Sequence, residues 1–262
     1  MEAFVLQQPK STADAAKAGA GEAKYLAGGQ SLLAAMKLGL AAPSTLVDLG
    51  GIADLKGIKL EGGKITIGAM TTHAAVAASA EVKKAIPALA MLAHGIGDRA
   101  VRNMGTLGGS LANNDPAACY PAAVLGLGAT INTDKRSIPA DSFFKGLYET
   151  ALESGEIIKS VSFPVPEKAA YVKFKQPASR FAIVGVFVSK GSQGARVAVT
   201  GAAAGVFRAK ALEDKLAAGW SAAACDGVKM PAAGMNADLH GSAEYRAHLI
   251  TVWAKRAVAQ AD

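Results

Sequence analysis

Short apolar runs, separated by glycine and proline, alternate between strand-like and helix-like periodicity along the chain. Near the N-terminus they predict a strand at 25–27, a helix at 32–38 and a second strand at 45–50. Ser11, with Asp14 three residues later, is a capping pattern for an earlier helix that a glycine ends. Residues 1 to about 53 are therefore predicted to form a small β-α-β unit.

From residue 54 the pattern changes to a hairpin followed by helices. Apolar alternation on both sides of residues 61–64 predicts two antiparallel strands. Helices are predicted at 72–78, 87–94 and 120–127, and strands at 129–132 and within 156–166, where Pro164 and Pro166 end the last one. These prolines mark a domain boundary, with one domain over 1–165 (subdomains 1–53 and 54–165) and another over 168–262.

The C-terminal part contains three strand-like runs followed by two helical stretches, at 209–219 and 242–261. This order predicts an α+β domain with a three-stranded sheet. No repeat of fixed period is present.

The composition predicts a folded chain with a sizeable core. We do not expect a transmembrane helix. Hydrophobic residues make up 51% and charged residues 19%, which allows a sizeable core. No apolar run reaches about 18 residues, and the N-terminus lacks a signal-peptide pattern. Cys119 and Cys225 form no CxxC motif, which favours the reducing cytoplasm. A peripheral position at the inner membrane face is kept as an alternative.

The net charge of +7 comes from scattered basic residues that never form a block. We therefore interpret it as a solvated basic surface, or a surface for an acidic partner subunit, rather than a nucleic-acid interface.

Several common catalytic motifs are absent from the sequence. There is no GxxxxGK(S/T) phosphate loop, no GxGxxG fingerprint after a strand, and no GxSxG around Ser31 or Ser110. The histidines have no metal-ligand spacing and are interpreted as packed or surface residues; they are His73, His94, His240 and His248.

Two glycine-rich segments remain, at residues 27–31 and 105–110. Glycine allows close backbone approach and positive φ, so that successive amides can surround an anion. Ser31 and Thr106 can add hydroxyl donors. Either segment alone is typical of an ordinary turn, but the pair favours a pyrophosphate site.

These segments carry a family resemblance. "AGGQSLLAAMKLGLAAPSTLVDLGGI", "ITIGAMTTHAAVAAS" and "IGDRAVRNMGTLGGSLANNDPAACYPAAVLGLGATI" resemble the FAD-binding medium subunits of molybdenum hydroxylases, the xanthine dehydrogenase and aerobic carbon monoxide dehydrogenase family. "KFKQPASRFAIVGVFV" resembles their C-terminal domain, and the overall likeness is greatest to carbon monoxide dehydrogenase medium subunits.

The resemblance implies a two-subdomain FAD-binding domain of the vanillyl-alcohol oxidase-like (PCMH) type, followed by an α+β domain. It implies FAD held between the two glycine segments with its pyrophosphate on their amides. It also implies a heterotrimer, often paired into a dimer of trimers, with a molybdenum-cofactor subunit and a small subunit bearing 2Fe–2S clusters. Electrons would pass from those clusters to FAD and then to quinone, NAD or oxygen.

Several residues match cofactor-binding positions of that family. The first segment supplies Lys24, Tyr25, Leu26, Ala27, Gly28, Gly29, Gln30 and Ser31, and the second supplies Thr106, Leu107, Gly108, Gly109 and Ser110. The remaining matches are Ile96, which packs near the cofactor, Ile158 beside the flavin ring, and Lys175, a cation that would stabilise reduced flavin. Without the resemblance, we would interpret Ile158 as a core residue of a strand and Lys175 as a solvated residue of a strand.

Cys119 departs from the family pattern. Relatives typically carry an aspartate there that binds an FAD ribose hydroxyl, and a thiol is a poor acceptor. The resemblance therefore implies weaker FAD binding, unless Asn113, Asn114 or Asp115 compensates.

Three interpretations follow, led by an electron-transfer flavoprotein subunit. The alternatives are a self-contained FAD-dependent oxidase of the same fold and a scaffold without a cofactor. About 95 residues after the boundary are few for an oxidase's substrate domain. The substrate, whether carbon monoxide, an aldehyde or an N-heterocycle, stays open.

Overall fold

The computed structural model describes residues 1–261 and builds them around three main sheets. The strands are β1 (Val5–Gln7), β2 (Lys24–Leu26), β3 (Thr45–Asp48), β4 (Ile58–Glu61), β5 (Lys64–Gly68), β6 (Thr130–Thr133), β7 (Ser137–Pro139), β8 (Phe144–Gly146), β9 (Glu149–Thr150), β10 (Ile158–Pro164), β11 (Lys168–Lys175), β12 (Ala182–Gly191), β13 (Gly194–Thr200) and β14 (Phe207–Arg208).

Eleven α-helices are present in the described residues. They are α1 (Thr12–Ala18), α2 (Leu32–Lys37), α3 (His73–Ala78), α4 (Ala80–Ala85), α5 (Pro87–His94), α6 (Arg99–Met104), α7 (Leu107–Asn113), α8 (Tyr120–Gly126), α9 (Ala140–Phe143), α10 (Lys210–Ala218) and α11 (Ala243–Gln260). Within residues 1–261, no helix combines the length and the apolarity that crossing a membrane requires.

The N-terminal unit is a parallel sheet in the order β1-β3-β2. It matches the predicted β-α-β unit, and Ser11 caps α1 by accepting a hydrogen bond from the Asp14 amide at 3.1 Å. Strand β1 was not predicted, because its three residues are all exposed and carry no burial pattern.

The second unit is a five-stranded antiparallel sheet in the order β4-β5-β10-β6-β7. Helices α4 and α7 pack against it, and α3, α5 and α8 pack on those two helices, with α6 on α3. The predicted hairpin is present as β4 and β5, and the predicted helix at 87–94 is α5. Leu89, Val124 and Phe163 are fully buried in the core between sheet and helices.

The C-terminal sheet has four strands, in the order β11-β12-β13-β14, and α10 and α11 cover it. The prediction of three strands was therefore wrong by one. Strand β14 has only two residues, which is too short to show a periodic pattern.

Packing crosses the boundary predicted at Pro164 and Pro166. The side chain of Arg196 on β13 donates to the Leu125 carbonyl of α8 at 2.8 Å, and the hydroxyl of Ser189 donates to the Gly126 carbonyl at 2.7 Å. Phe187 of β12 belongs to the same buried cluster as α8. The C-terminal sheet is thus fixed against the preceding unit, while the domain limits themselves stay a prediction.

Candidate functional site

A cleft of about 550 Å³ lies where the first two units meet, within the size range of small-molecule and cofactor sites. Three stretches of chain form its walls. The first runs from β2 into α2, the second from α6 into α7, and the third is the segment between β9 and β10. The sequence predicted two of these walls; the third was represented only by Ile158.

Most predicted site residues line this cleft. They are Lys24, Tyr25, Ala27, Gly28, Gly29, Gln30, Ser31, Thr106, Gly108, Gly109, Ser110 and Ile158. The two glycine segments, about eighty positions apart in the sequence, are therefore brought together as predicted.

The two glycine segments meet at Gly28. A Cβ placed there would lie 2.1 Å from the Met104 carbonyl oxygen and 2.7 Å from the Gly105 Cα. Both are backbone atoms, which cannot move away by a change of rotamer as side-chain atoms can. Glycine at 28 therefore allows the first segment to pack directly against the second.

The first segment carries unpaired amides. Between residues 28 and 32, no backbone N–H donates to an acceptor among the described residues. Gly29 has a φ of +72°, a conformation that favours glycine. The Ser31 hydroxyl does not cap α2 either. This wall of the cleft thus offers donors that an anionic group can use.

The second segment differs, because its amides are already bonded. The amide of Leu107 donates to the Thr71 carbonyl at 3.1 Å, and that of Gly108 to the Ala69 carbonyl at 2.8 Å. The Thr106 hydroxyl accepts from the Gly109 amide at 3.2 Å as the N-cap of α7. The Thr106 carbonyl accepts from the amide of Ser110 at 3.0 Å.

The hydrogen bonds of the second segment therefore do not support the expectation that pyrophosphate rests on its amides, and that expectation stays a prediction. The cause is a tertiary contact, in which carbonyls of the turn after β5 accept hydrogen bonds from the N–H groups at the start of α7. The glycines at 108 and 109 serve close packing instead. A Cβ on Gly108 would lie 2.5 Å from the Ala69 Cβ.

The third wall is held by a buried carboxylate. Glu156 is 4% exposed and accepts hydrogen bonds from Arg136, from the Thr133 hydroxyl and from the Glu153 amide. The hydrogen bond from Arg136 lowers the pKa of Glu156 from its usual value near 4.5 to about 2. Glu156 is therefore ionised at neutral pH, and its oxygens already accept hydrogen bonds from the protein. We infer that this carboxylate stabilises the third wall of the cleft.

Tyr25 ties the first wall to the third. Its hydroxyl donates to the Gly155 carbonyl at 2.9 Å. Burial, and then the charge of Asp134, raise the pKa of Tyr25, so the phenol remains a neutral donor.

Five predicted residues lie outside the cleft lining: Leu26, Leu107, Ile96, Cys119 and Lys175. The side chain of Leu107 is fully buried in the core. Ile96 packs against the same core, and its carbonyl accepts a hydrogen bond from Arg102 at 2.9 Å. Contact of Leu107 and Ile96 with a cofactor stays a prediction, and the positions of these two residues in the core do not support it.

Cys119 and Lys175 also lie elsewhere. Cys119 is 5% exposed, and its Sγ lies 3.3 Å from the ammonium of Lys173. That ammonium also donates to the Gly95 carbonyl at 2.9 Å. Lys175 is exposed, at the point where the pairing of β11 with β12 shifts register after Phe174. The lysine that reaches the first domain is thus Lys173, which the sequence analysis did not single out.

His73 is a cleft residue that the sequence analysis missed. It is 5% exposed and lies at the start of α3, where its amide donates to the Gly105 carbonyl at 2.9 Å. Burial, and then the charge of Arg102, lower the pKa of His73 to about 4. The sequence analysis interpreted His73 only as a packed or surface residue, since no metal-ligand spacing surrounds it.

A family model and two curated relatives all place the chain in the same protein family. A family model described as the FAD binding domain in molybdopterin dehydrogenase matches residues 2–166. The carbon monoxide dehydrogenase medium chain of Afipia carboxidovorans is 35% identical over 98% of this chain and 96% of its own. The nicotine 6-hydroxylase medium subunit of Paenarthrobacter nicotinovorans is 34% identical over 92% of this chain and 90% of its own.

A solved structure agrees with these sequence matches. Carbon monoxide dehydrogenase from Hydrogenophaga pseudoflava, lacking the Mo-pyranopterin moiety of its cofactor, contains a chain that superimposes with a TM-score of 0.89. The identity is 34%, over 98% of this chain and 96% of that one.

Proposed function

Since the chain belongs to the family of FAD-binding domains in molybdopterin dehydrogenases, we propose that it is the electron-transfer subunit of a heterotrimeric molybdenum hydroxylase. In this role it takes electrons from the 2Fe–2S clusters of a small subunit and passes them to an external acceptor. The relatives matched along most of their length are named as medium chains or subunits, which supports a place within a larger complex.

The cleft fits the FAD that the family binds. The observation that carries this assignment is the run of unpaired amides at residues 28–32, which supplies donors where a pyrophosphate needs them. When bound, FAD supplies the group that accepts and releases electrons. The chain's residues orient it: the first segment holds the anionic middle, and Ile158 presents an apolar surface at 5% exposure.

The substrate site is proposed to lie on the partner carrying the molybdenum cofactor. Within residues 1–261, no cluster of three or more His, Cys, Asp or Glu side chains could hold a metal ion. Matched relatives are named for different substrates, carbon monoxide in one case and nicotine in another. We further propose that the complex works in the cytoplasm, which two free, buried cysteines support.

Purification of the native complex tests this function. We expect FAD in equal amount with this chain, together with molybdenum and iron on co-purifying subunits. A chain that stays colourless and rejects added FAD would contradict the cofactor role. An isolated FAD-loaded chain that oxidises an organic substrate by itself would identify the self-contained oxidase instead.

The prediction for residue 119 can be tested separately. Cys119→Asp restores the acceptor that relatives carry, and we expect it to tighten FAD binding about tenfold. Isothermal titration of FAD into both proteins measures this. An unchanged affinity would contradict the ribose contact and assign residue 119 to the contact with Lys173 alone.

A further inference from the structure

Asn114 connects two walls of the cleft through its side chain. Its Nδ2 donates to the Gly146 carbonyl at 2.9 Å and to the Glu149 carbonyl at 2.8 Å, so both N–H groups of the amide are used within the chain. Asn114 is 1% exposed, which shields these hydrogen bonds from water. We call this pair of hydrogen bonds the Asn114 clamp.

The clamp holds the turn between β8 and β9, because its two acceptors lie on either side of that turn. Within the turn, Tyr148 has a φ of +55°, which is uncommon for a bulky side chain. Tyr148 is 58% exposed, and its hydroxyl lies 3.5 Å from the Asp115 carboxylate, too far for a strong hydrogen bond. A strained turn persists where its surroundings fix it, and Asn114 supplies that support.

The clamp adjoins the cleft on both of its sides. Asn114 is the C-cap of α7, with a φ of +44°, and it directly follows Asn113, which lines the cleft. Glu149 directly precedes Thr150, the first residue of the third wall that lines the cleft. The clamp therefore joins the helix of the second wall to the beginning of the third wall.

The other support of the third wall has a different anchor. Arg136 lies between β6 and β7, and it donates to the Glu156 carboxylate and to the Ala151 carbonyl. These contacts hold the third wall to the turn between β6 and β7. The Asn114 clamp ties the same wall to the C-terminus of α7, and this link bears on the gap between the second and third walls.

We propose that Asn114 is a positioning residue for the cofactor, which sets the gap between the second and third walls to the width that FAD requires. This role rests on the proposed FAD-binding function. Asn114 acts through Thr150 and the residues that follow it, without touching the cofactor itself. Displacement of a binding wall by about 1 Å is enough to weaken a fitted site.

Two matched substitutions separate positioning from stability. Asn114→Gly removes the amide but keeps the left-handed backbone, which glycine adopts freely. Asn236→Gly is the control, because the Nδ2 of Asn236 also donates to two carbonyls, those of Gly201 and Ala203, but lies outside the cleft lining. In fluorescence titrations, we expect Asn114→Gly to weaken FAD binding about tenfold and Asn236→Gly to stay within about threefold of wild type.

Hydrogen exchange gives a readout that a merely structural role would not move. In the Asn114→Gly variant without FAD, the amides of residues 150–158 should exchange about tenfold faster than in wild type, whereas in Asn236→Gly they should match wild type. Equal FAD affinity in the two variants, or unchanged exchange at residues 150–158 in Asn114→Gly, would overturn the proposal.

The wild-type chain tests the same role even where a variant does not fold. On saturation with FAD, we expect residues 150–158 to become protected together with residues 28–32, because the cofactor fills the gap between the walls. If FAD binds and protects residues 28–32 but not residues 150–158, only this inference fails. If the wild-type chain binds no FAD at all, the proposed function fails instead.

Discussion

The two glycine-rich segments have similar sequences but perform different physical tasks. In the first, the amides of residues 28–32 have no acceptor within residues 1–261, and these residues line a cleft. In the second, the amides of Leu107 and Gly108 bond the turn after β5, and its glycines permit close packing. A glycine motif thus indicates close backbone approach, either to a ligand or to the protein itself, and only the hydrogen-bond pattern distinguishes these two cases.

The largest expected effect comes from Gly28→Ala. The added Cβ would meet the Met104 carbonyl oxygen and Gly105 Cα, so the two segments must separate. The segment that must move carries the amides of residues 28–32, so we expect FAD affinity to fall about a hundredfold, which corresponds to about 2.8 kcal/mol of binding free energy. Fluorescence titration of FAD measures it. Gly219→Ala is the control, because its Cβ would meet nothing within 4 Å; equal affinity in both variants would contradict the role of residue 28.

Gly108→Ala should lower the stability of the fold more than it lowers FAD affinity. Its Cβ would lie 2.5 Å from the Ala69 Cβ inside the core, so we expect a loss of about 1–3 kcal/mol in the free energy of unfolding. FAD affinity, measured well below the unfolding temperature, should stay within about threefold of wild type. Urea unfolding and FAD titration on the same protein check both. Unchanged stability with lost affinity would show that the second segment also holds the cofactor directly.

The third wall gives a pH-dependent test that neither glycine segment provides. The pKa of Glu156 is lowered to about 2, so its pairing with Arg136 stabilises the fold above the ordinary value near 4.5 and is lost as pH falls toward 2. Arg136→Met should lower the free energy of unfolding at pH 7, because the buried Glu156 carboxylate loses its cationic partner. The stability gap from wild type should narrow between pH 4.5 and 2, as followed by thermal unfolding. A gap that stays constant over this range would contradict the assigned role of the pair.

The smallest effect is expected for Ser31→Ala. The hydroxyl caps no helix, so the free energy of unfolding should change by less than about 0.5 kcal/mol. FAD affinity should fall about fivefold, through the loss of one hydrogen bond to an anionic group. A Ser31→Ala variant that unfolds more easily yet binds FAD normally would assign the first segment to structure instead.

Much of the fold follows from periodicity alone. The β4–β5 hairpin and α5 were predicted because their apolar positions alternate or recur at helical spacing. Strand β1 was not, since its residues are exposed and only pairing with β3 makes it a strand. Short elements held by tertiary contacts leave no local signal.

The candidate site was predictable to a similar extent. The glycine segments carry their own sequence signal, so two of the three walls of the cleft could be named in advance. The bonding of the second segment could not, because it depends on Ala69 and Thr71, which the fold brings to it. Lys175 and Lys173 have the same local pattern, and only the folded structure shows that Lys173 is the one that reaches Cys119.

Hydrogen exchange resolved by residue tests the difference between the segments most directly. Without cofactor, the amides of residues 28–32 should exchange fast, because they lack protein acceptors, and those of residues 107–110 slowly. On saturation with FAD, residues 28–32 should become strongly protected, while residues 107–110 change little. Protection that appears at residues 107–110 and not at 28–32 would contradict the account.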